Sequence, residues 1–302
     1  MAELVDSLQI YRGYQPEDAA LITRYFRLDP TPEPGFVLDR LGVRTRMSSL
    51  WDGLDSLDGT VLPPPLPSDF HAEAIEWIGL LRSVAEARDQ FAAMELGAGW
   101  GPWLVAAAAA ARLNGIADTF LLGVEADPQH YVSLRQHFLD NGLEPNRHRL
   151  LHAAVGVASG TVRFPRVADP RNAWDARPMR EGASADHLGR RFADFVEVEV
   201  LDLAALLAQR PVWDLVHIDV QGSEAELCRA ALNALAARAR RLVIGTHSRA
   251  IEGDLLMLLH RAGWRLENEK PCRFIFHADA PGLEAMTTHD GAQVWSNPAL
   301  ID

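Results

Sequence analysis

From residue 91 onward the chain alternates short apolar runs with helical patterns, and a sequence written this way has few folds open to it. FAAMEL (91–96) reads as a buried strand running into Gly97. PWLVAAAAAARL (102–113) reads as a helix with Pro102 in its first turn, where the missing N–H removes no bond. TFLLGVE (119–125) is a strand, and 128–140 a helix with Tyr131, Leu134 and Phe138 on one face and Gly142 just past its end. A strand around 149–155, a hairpin arm TVRF (161–164) and the alternating strand FVEVEV (195–200) follow. WDLVHID (213–219) and RLVIGTH (241–247) are strands, each followed by a helix, at 223–235 and 250–262, the second closed by Gly263. Strand-like segments at 264–268, 272–277 and 292–296 complete the pattern. This order predicts an α/β fold: a doubly wound, mostly parallel sheet with helices on both faces. Ligands then belong at the carboxyl ends of the strands, near the switch point.

The residues before this region read differently. Up to about residue 62 strand and helix do not alternate; Pro30, Pro32 and Pro34 interrupt the chain, and LPPPLP (62–67) cannot continue a helix and reads as an extended linker. DFHAEAIEWIGLLRSVAEA (69–87) predicts a helix with Ile75, Ile78 and Leu81 on one face, near Phe70 and Ala74, capped by Asp69 or Ser68. The expected organisation is a partly helical N-terminal extension over 1–88 and a main domain over 89–302.

A net charge of −12 argues against broad binding to nucleic acid or anionic membrane, which needs clustered positive charge. Lys270 is the only lysine, so a lysine base is excluded almost everywhere. The two cysteines, Cys228 and Cys272, form no CxxC pair, which fits a reduced, cytoplasmic protein. MAELVDSLQI lacks the basic and apolar regions of a signal peptide, and the longest apolar run, 103–111, is half of what a bilayer requires.

Glu95-Leu-Gly97-Ala98-Gly99-Trp100-Gly101 lies between the first strand of the alternating region and the alanine-rich helix. Glycines at alternate positions let the backbone turn tightly and lie against a ligand. A dinucleotide fingerprint needs its third glycine where this chain has Pro102. An acidic residue before the first glycine is unsuited to a pyrophosphate. It suits a ligand with an α-amino group, such as the methionine part of S-adenosylmethionine. Glu125, ending the next strand, can accept both ribose hydroxyls in charge-assisted bonds. Together these residues favour the methyl donor over NAD.

Several segments resemble the FkbM family of methyltransferases: MELGAGWGPW (94–103), GVEADPQHYVSLRQHFLDNG (123–142), HAAVGVASGTVRF (152–164) and VLDLAALL (200–207). The most specific are WDLVHIDVQGSEAELCRAA (213–231) and LVIGTHSRAIEGDLLMLLHRAGW (242–264). The resemblance spans about 91–265. It implies the class I methyltransferase fold, Rossmann-like with a seven-stranded sheet, S-adenosylmethionine as donor, and transfer to hydroxyl groups of sugars and polyketides. A donor site of Glu95, Gly97, Ala98, Gly99, Trp100, Gly101, Glu125, Ala126, Ala153 and Asp219 follows. Family members often carry Lys-Ile-Asp-Val-Glu-Gly where this chain has His217-Ile-Asp219-Val-Gln221-Gly222, and Glu-Ile-His where it has Gly245-Thr-His247.

Methyl transfer is an in-line displacement, so the enzyme must align an acceptor oxygen and deal with its proton. Asp219 and His247 end strands that class I order places side by side, about 5 Å apart. Glu224 lies in the first turn of the helix after Asp219. The three suit a divalent ion such as Mg²⁺ or Mn²⁺, or an acid–base set with His247 as base and Asp219 orienting it. The alternative is that Glu224 simply complements the helix N-terminus and Asp219 caps it. His217, on the same side of its strand as Asp219, is a further catalytic candidate or a core histidine. His71 could cover the donor, though a solvated helix position suits it better; Trp103 reads as core. His130, His137, His148, His187, His260, His277 and His289 belong to no constellation. The segment 165–191, with Trp174 and arginines 166, 171, 177, 180, 190 and 191, is too long for an ordinary connection. It reads as a lid, an acceptor-recognition element or a surface loop. The expected activity is O-methylation of a small sugar, sugar-bearing or polyketide-type metabolite, in natural product or polysaccharide biosynthesis, with no nucleic-acid or membrane partner and self-association allowed for. N- or carboxylate-methylation, or a non-catalytic donor-binding module, are the alternatives.

Overall fold

The computed structural model describes residues 12–179, 186, 189–282 and 284–301. The segment MAELVDSLQI, Arg180 and His187 lie outside the described residues.

Seven strands form the central sheet. Five run parallel in the order β11 (Arg241–Thr246), β10 (Leu215–Ile218), β4 (Gln90–Leu96), β5 (Asp118–Glu125) and β6 (Arg149–His152). Beyond β11 lies β15 (Gly291–Ser296), antiparallel to both its neighbours, and then the edge strand β12 (Arg265–Lys270). This is the strand order of a class I methyltransferase fold. The order reverses between β4 and β10, so the crevice opens at their carboxyl ends.

Two apolar layers cover the sheet. One contains α2 (Ala74–Glu86) and α3 (Pro102–Leu113), with Ile22, Tyr25 and Phe26 of α1 (Pro16–Tyr25) in the same cluster. Ala106 to Ala111 are almost wholly buried, because small side chains let α3 lie close to the strands. Gly79 does the same for α2: a Cβ there would come within 2.6 Å of Val243 Cγ2. The other layer contains α5 (Leu203–Leu207), α6 (Glu224–Ala230), α7 (Leu232–Arg238) and α8 (Arg249–Arg261).

Several sequence expectations are corrected. The helix expected over 69–87 begins at Ala74, and neither Asp69 nor Ser68 caps it. Glu73 does, in a capping box with Glu76, whose Oε2 accepts from Glu73 N at 3.0 Å. Asp69 instead accepts from the backbone of His71 and Ala72 and from Trp77 Nε1. The helix expected over 223–235 breaks at Ala231 into α6 and α7. The strand expected over 149–155 divides between sheets: β6 stays in the main sheet, while β7 (Ala154–Gly156) joins β9 (Phe195–Asp202) and β8 (Gly160–Pro165). Only Arg273–Phe274 of 272–277 is strand, β13, paired with β14 (Thr287–His289). The residues before 62, which carried no alternation, hold α1 and a small sheet of β1 (Phe36–Leu38), β2 (Arg44–Arg46) and β3 (Thr60–Val61). Among the described residues, no helix is long and apolar enough to cross a membrane.

Candidate active site

β4 ends in the glycine turn, whose Gly97, Gly99 and Gly101 have φ of 75°, 54° and 75°. A Cβ at Gly97 would overlap the carbonyl oxygen of Asp219, so the turn closes against β10 only with glycine there. Glu95, one residue before the end of β4, is fully buried beneath the first turn of α3. Its carboxylate accepts from Leu104 N at 3.1 Å and Trp103 N at 3.4 Å. Burial drives its carboxyl well above the usual range, against those two bonds and with help from the Asp219 and Glu125 charges.

Glu125 ends β5, facing the same turn. It accepts from Gly99 N and Asp127 N, both at 2.7 Å. Burial pushes its carboxyl up to about 7, more than these bonds pull it down. Asp127 caps α4 (Pro128–Asp140) and fixes His130 in that helix's first turn.

Asp219, directly after β10, and His247, directly after β11, meet at the sheet edge. His247 Nε2 lies 3.2 Å from Asp219 Oδ1, and Nδ1 lies 3.0 Å from Glu224 Oε1. Glu224, wholly buried, accepts from Val220 N and Gly222 N at Oε1, while its Oε2 has no partner among the described residues. Burial lowers the His247 pKa, but the Glu224 charge and the hydrogen bond and charge of Asp219 outweigh it and hold the ring well above its ordinary value. Burial likewise raises Asp219, and the His247 bond and charge bring it below the usual carboxylate range. Two carboxylates facing the imidazole favour its protonated form. Gln221, in the left-handed region at φ 56°, donates to Asp219 from Nε2 at 3.0 Å.

One cavity of about 640 Å³ joins Glu95, Glu125 and Asp219, within the range of roughly 300–1,000 Å³ common for small-molecule sites. It is lined by Glu95, Gly97, Ala98, Gly99, Trp100, Glu125, Ala126, Ala153 and Asp219, and by His217. Gly101 caps α3 from behind the turn, with Leu134 where a Cβ would lie. Glu224 and His247 stand behind Asp219, outside the lining residues. His217 is buried against the Trp103 ring, centroids 5.1 Å apart, and neither of its nitrogens has a hydrogen-bond partner among the described residues.

His71 is not a solvated helix histidine. It precedes α2, is largely buried among Phe70, Trp77, Trp100 and Trp103, and lines the cavity. Its Nδ1 lies 2.9 Å from Asp69 Oδ1, while Nε2 has no partner. Burial depresses its pKa, and the charge and hydrogen bond of Asp69 more than restore it, leaving it raised. Trp103 is core on one side and cavity wall on the other.

The sequence left His130 unassigned, yet it lines the cavity and stacks flat on Trp174, with centroids 4.0 Å apart and planes 2° off parallel. Its position five residues past Glu125, in the first turn of the next helix, was the available signal. Glu76, Asp290, Phe164 and Trp51 also line the cavity and carried none. From 165–191 the structure brings Trp174, Arg177 and Arg190 to the wall; Arg177 bonds Gln221 O and Glu284.

Residues 91–266, more than half of the chain, match the sequence model of the methyltransferase FkbM domain. The chain belongs to the FkbM methyltransferase family. It is accordingly an S-adenosylmethionine-dependent methyltransferase. A Jannaschia sp. (strain CCS1) protein named "Putative methyltransferase" is 31% identical over 271 residues, covering 89% of this chain and 95% of its own. Solved structures similar to this FkbM chain include the precorrin-6Y C5,15-methyltransferase of Geobacter metallireducens GS-15, at 11% identity and TM-score 0.40, covering 75% of this chain and 89% of that one. Another is a TehB-like methyltransferase of Corynebacterium glutamicum ATCC 13032, at 18% identity and TM-score 0.37, covering 77% and 90%.

The residues present fit the donor. The glycine turn gives it backbone without Cβ atoms, and Ala126, Ala153 and Ala154 leave room for a flat base. The indole N–H groups of Trp100 and Trp174 are buried without partners beside it. When bound, the donor supplies a methyl group on a sulfonium centre, already activated for displacement.

Proposed function

We propose that this FkbM methyltransferase methylates a hydroxyl group of a small sugar, sugar-bearing or polyketide-type metabolite, in natural product or polysaccharide biosynthesis. The observation that carries the reading is the cavity joining the donor turn to Asp219, to His71 with Asp69 beside it, and to a wall of Trp51, Trp100 and Trp103. Aromatic faces pack against the C–H faces of a sugar or polyketide ring, while carboxylate and imidazole groups take its hydroxyls.

Within this reading, Asp219 and His71 divide the work. Asp219, fixed by His247 and Gln221, accepts a hydrogen bond from the acceptor and aligns its oxygen. His247, the base expected from the sequence, is poorly suited to take the proton, because both its nitrogens already face carboxylates. His71 has the placement of a base: its Nδ1 faces Asp69 Oδ1 at 2.9 Å, and its Nε2 has no hydrogen-bond partner among the described residues. His217 borders the same space and serves as its neighbour rather than the base. We place the reaction in the cytoplasm, in keeping with two unpaired, buried cysteines. We take the partner to be a small molecule and neither nucleic acid nor membrane.

A second reading of the cluster rests on its own observation. Ligand atoms of Asp219, Glu224 and His247 lie within 4.8 Å of one another, and Glu224 Oε2 is unspent. A Mg²⁺ or Mn²⁺ ion held there would replace the proton that His247 carries and would lower the pKa of a bound hydroxyl.

The test is a screen with donor labelled in its methyl group, offering neutral sugars and hydroxylated polyketides, amines, and carboxylic acids. Alkali-stable label on a hydroxyl compound supports the proposal. Transfer confined to amines or to alkali-labile esters supports N- or carboxylate-methylation instead. Donor binding with no transfer to any class would favour a binding module.

A further inference from the structure

The segment after β8 crosses the open side of the cavity, pinned at three points. His130 Nε2 meets Pro170 O at 2.9 Å, Asn172 bonds Asp52 through side chain and backbone, and Arg177 bonds Gln221 O at 2.9 Å. Between the pins, Trp174 is held against His130 face to face and meets Trp100 edge-on at 4.9 Å. Its ring lies over the donor turn: a Cβ at Gly99 would stand 3.1 Å from Trp174 Cζ3.

We infer that Trp174, backed by His130, is the outer wall of the donor cleft and packs on the nucleoside half of S-adenosylmethionine.

Three features place it on that half. His130 Nδ1 lies 3.9 Å from Glu125 Oε1, the carboxylate suited to ribose hydroxyls. Ala126, Ala153, Ala154 and Phe164, which line the same cavity, are small or flat and suit a purine ring. The buried indole N–H of Trp174 has no partner among the described residues, so a ligand acceptor would satisfy it. A flat ring between an aromatic wall and small side chains is the arrangement by which proteins hold bases irrespective of further contacts. The segment would then belong to donor recognition as well as to whatever it contributes to the acceptor. This inference rests on the donor occupying the Gly97–Glu125 cleft and is independent of the acceptor's identity.

The full chain is titrated calorimetrically with three probes: S-adenosylmethionine, S-adenosylhomocysteine and 5′-methylthioadenosine, which lacks the amino-acid part. Trp174→Ala should weaken all three by a similar factor, roughly 5- to 150-fold, the range for losing one base–aromatic stack. Trp174→Phe should recover most of that loss, and Trp174→Leu, which keeps bulk without a π face, should recover little. Melting curves of each variant identify any that fail to fold, and Phe against Leu decides the question among those that fold. Wild-type affinity in Trp174→Ala would overturn the inference. So would a loss seen with S-adenosylhomocysteine and absent with 5′-methylthioadenosine, which would move Trp174 to the amino-acid half. Failure of the wild-type protein to bind any probe would overturn the donor cleft itself, and the inference with it.

Discussion

His247 Nε2 lies 3.2 Å from Asp219 Oδ1, across the carboxyl ends of two neighbouring parallel strands. With Glu224 Oε1 3.0 Å from the other ring nitrogen, the imidazole is locked between two negative charges. His247→Ala should therefore act through Asp219, by leaving a carboxylate unpaired beside a buried one, and not by removing a base. We expect Asp219→Asn to lower kcat sharply with donor affinity nearly intact. His247→Gln, which can still donate to Asp219, should lose less than His247→Ala. Equal losses in the two His247 variants would count against a positioning role.

Metal dependence separates the two readings of this cluster. If a divalent ion sits there, exhaustive chelation should abolish turnover, Mg²⁺ or Mn²⁺ should restore it, and Asp219→Ala should bind neither. If the cluster works with a proton, activity should survive chelation unchanged.

His71 should behave as the base. Replacement by Ala is expected to cost about 10²–10⁴-fold in kcat, the usual contribution of a positioned base. Burial pushes the ring's pKa down and Asp69 more than offsets it, so Asp69→Asn should move the acid limb of the kcat profile to lower pH. Glu76 and Asp39 also raise the pKa of this ring, and their charges help set where that limb lies. An unmoved acid limb in Asp69→Asn would remove His71 from the mechanism.

Glu125 gives donor binding its own pH dependence. Burial raises its carboxyl to about 7, so below that pH it is largely protonated and accepts ribose hydroxyls poorly. Donor affinity should strengthen as pH rises through 7 and level off above it. Glu125→Gln should flatten this dependence, and Glu125→Ala should weaken binding by about 1.5–3 kcal/mol, the range for hydrogen bonds to a charged group. The sign for stability is opposite: with its pKa raised in the fold, Glu125 destabilises the unliganded protein progressively as pH rises from the ordinary carboxylate range to about 7, and the loss levels off above that. Calorimetry through neutral pH and melting curves from the acid side up to neutral pH check the two.

Gly97 should tolerate no side chain. Gly97→Ala combines a left-handed φ of 75° with overlap on Asp219 O, and we expect a loss of about 2–5 kcal/mol by chemical denaturation. Wild-type stability in that variant would mean that the turn is not closed against β10.

What could be read from the sequence follows from how local each signal is. The alanine helix after the glycine turn and the helix from Pro128 to Asp140 match to the residue, because proline and glycine mark their ends. The meeting of Asp219, Glu224 and His247 followed from strand order alone. Partners fixed by distant packing could not be read. Nothing near Asp69 shows that Trp77 and His71 claim its carboxylate and leave the helix cap to Glu73. Likewise, Trp174 reads as part of an acceptor segment, and only the fold lays it on Gly99 and His130. The division of one apolar run between β6 and β7 depends on a second sheet whose partner, β9, lies some forty residues on.

The central claim is that the methyl group passes to a hydroxyl oxygen held beside Asp219. It is tested most directly by running the enzyme with donor carrying a ¹³C methyl group and an acceptor from the screen, then recording the product's carbon spectrum. The account predicts one new methyl signal in the range of an ether methoxy group, absent with Asp219→Asn. A methyl signal in the range of an N-methyl amine or of a methyl ester would contradict it.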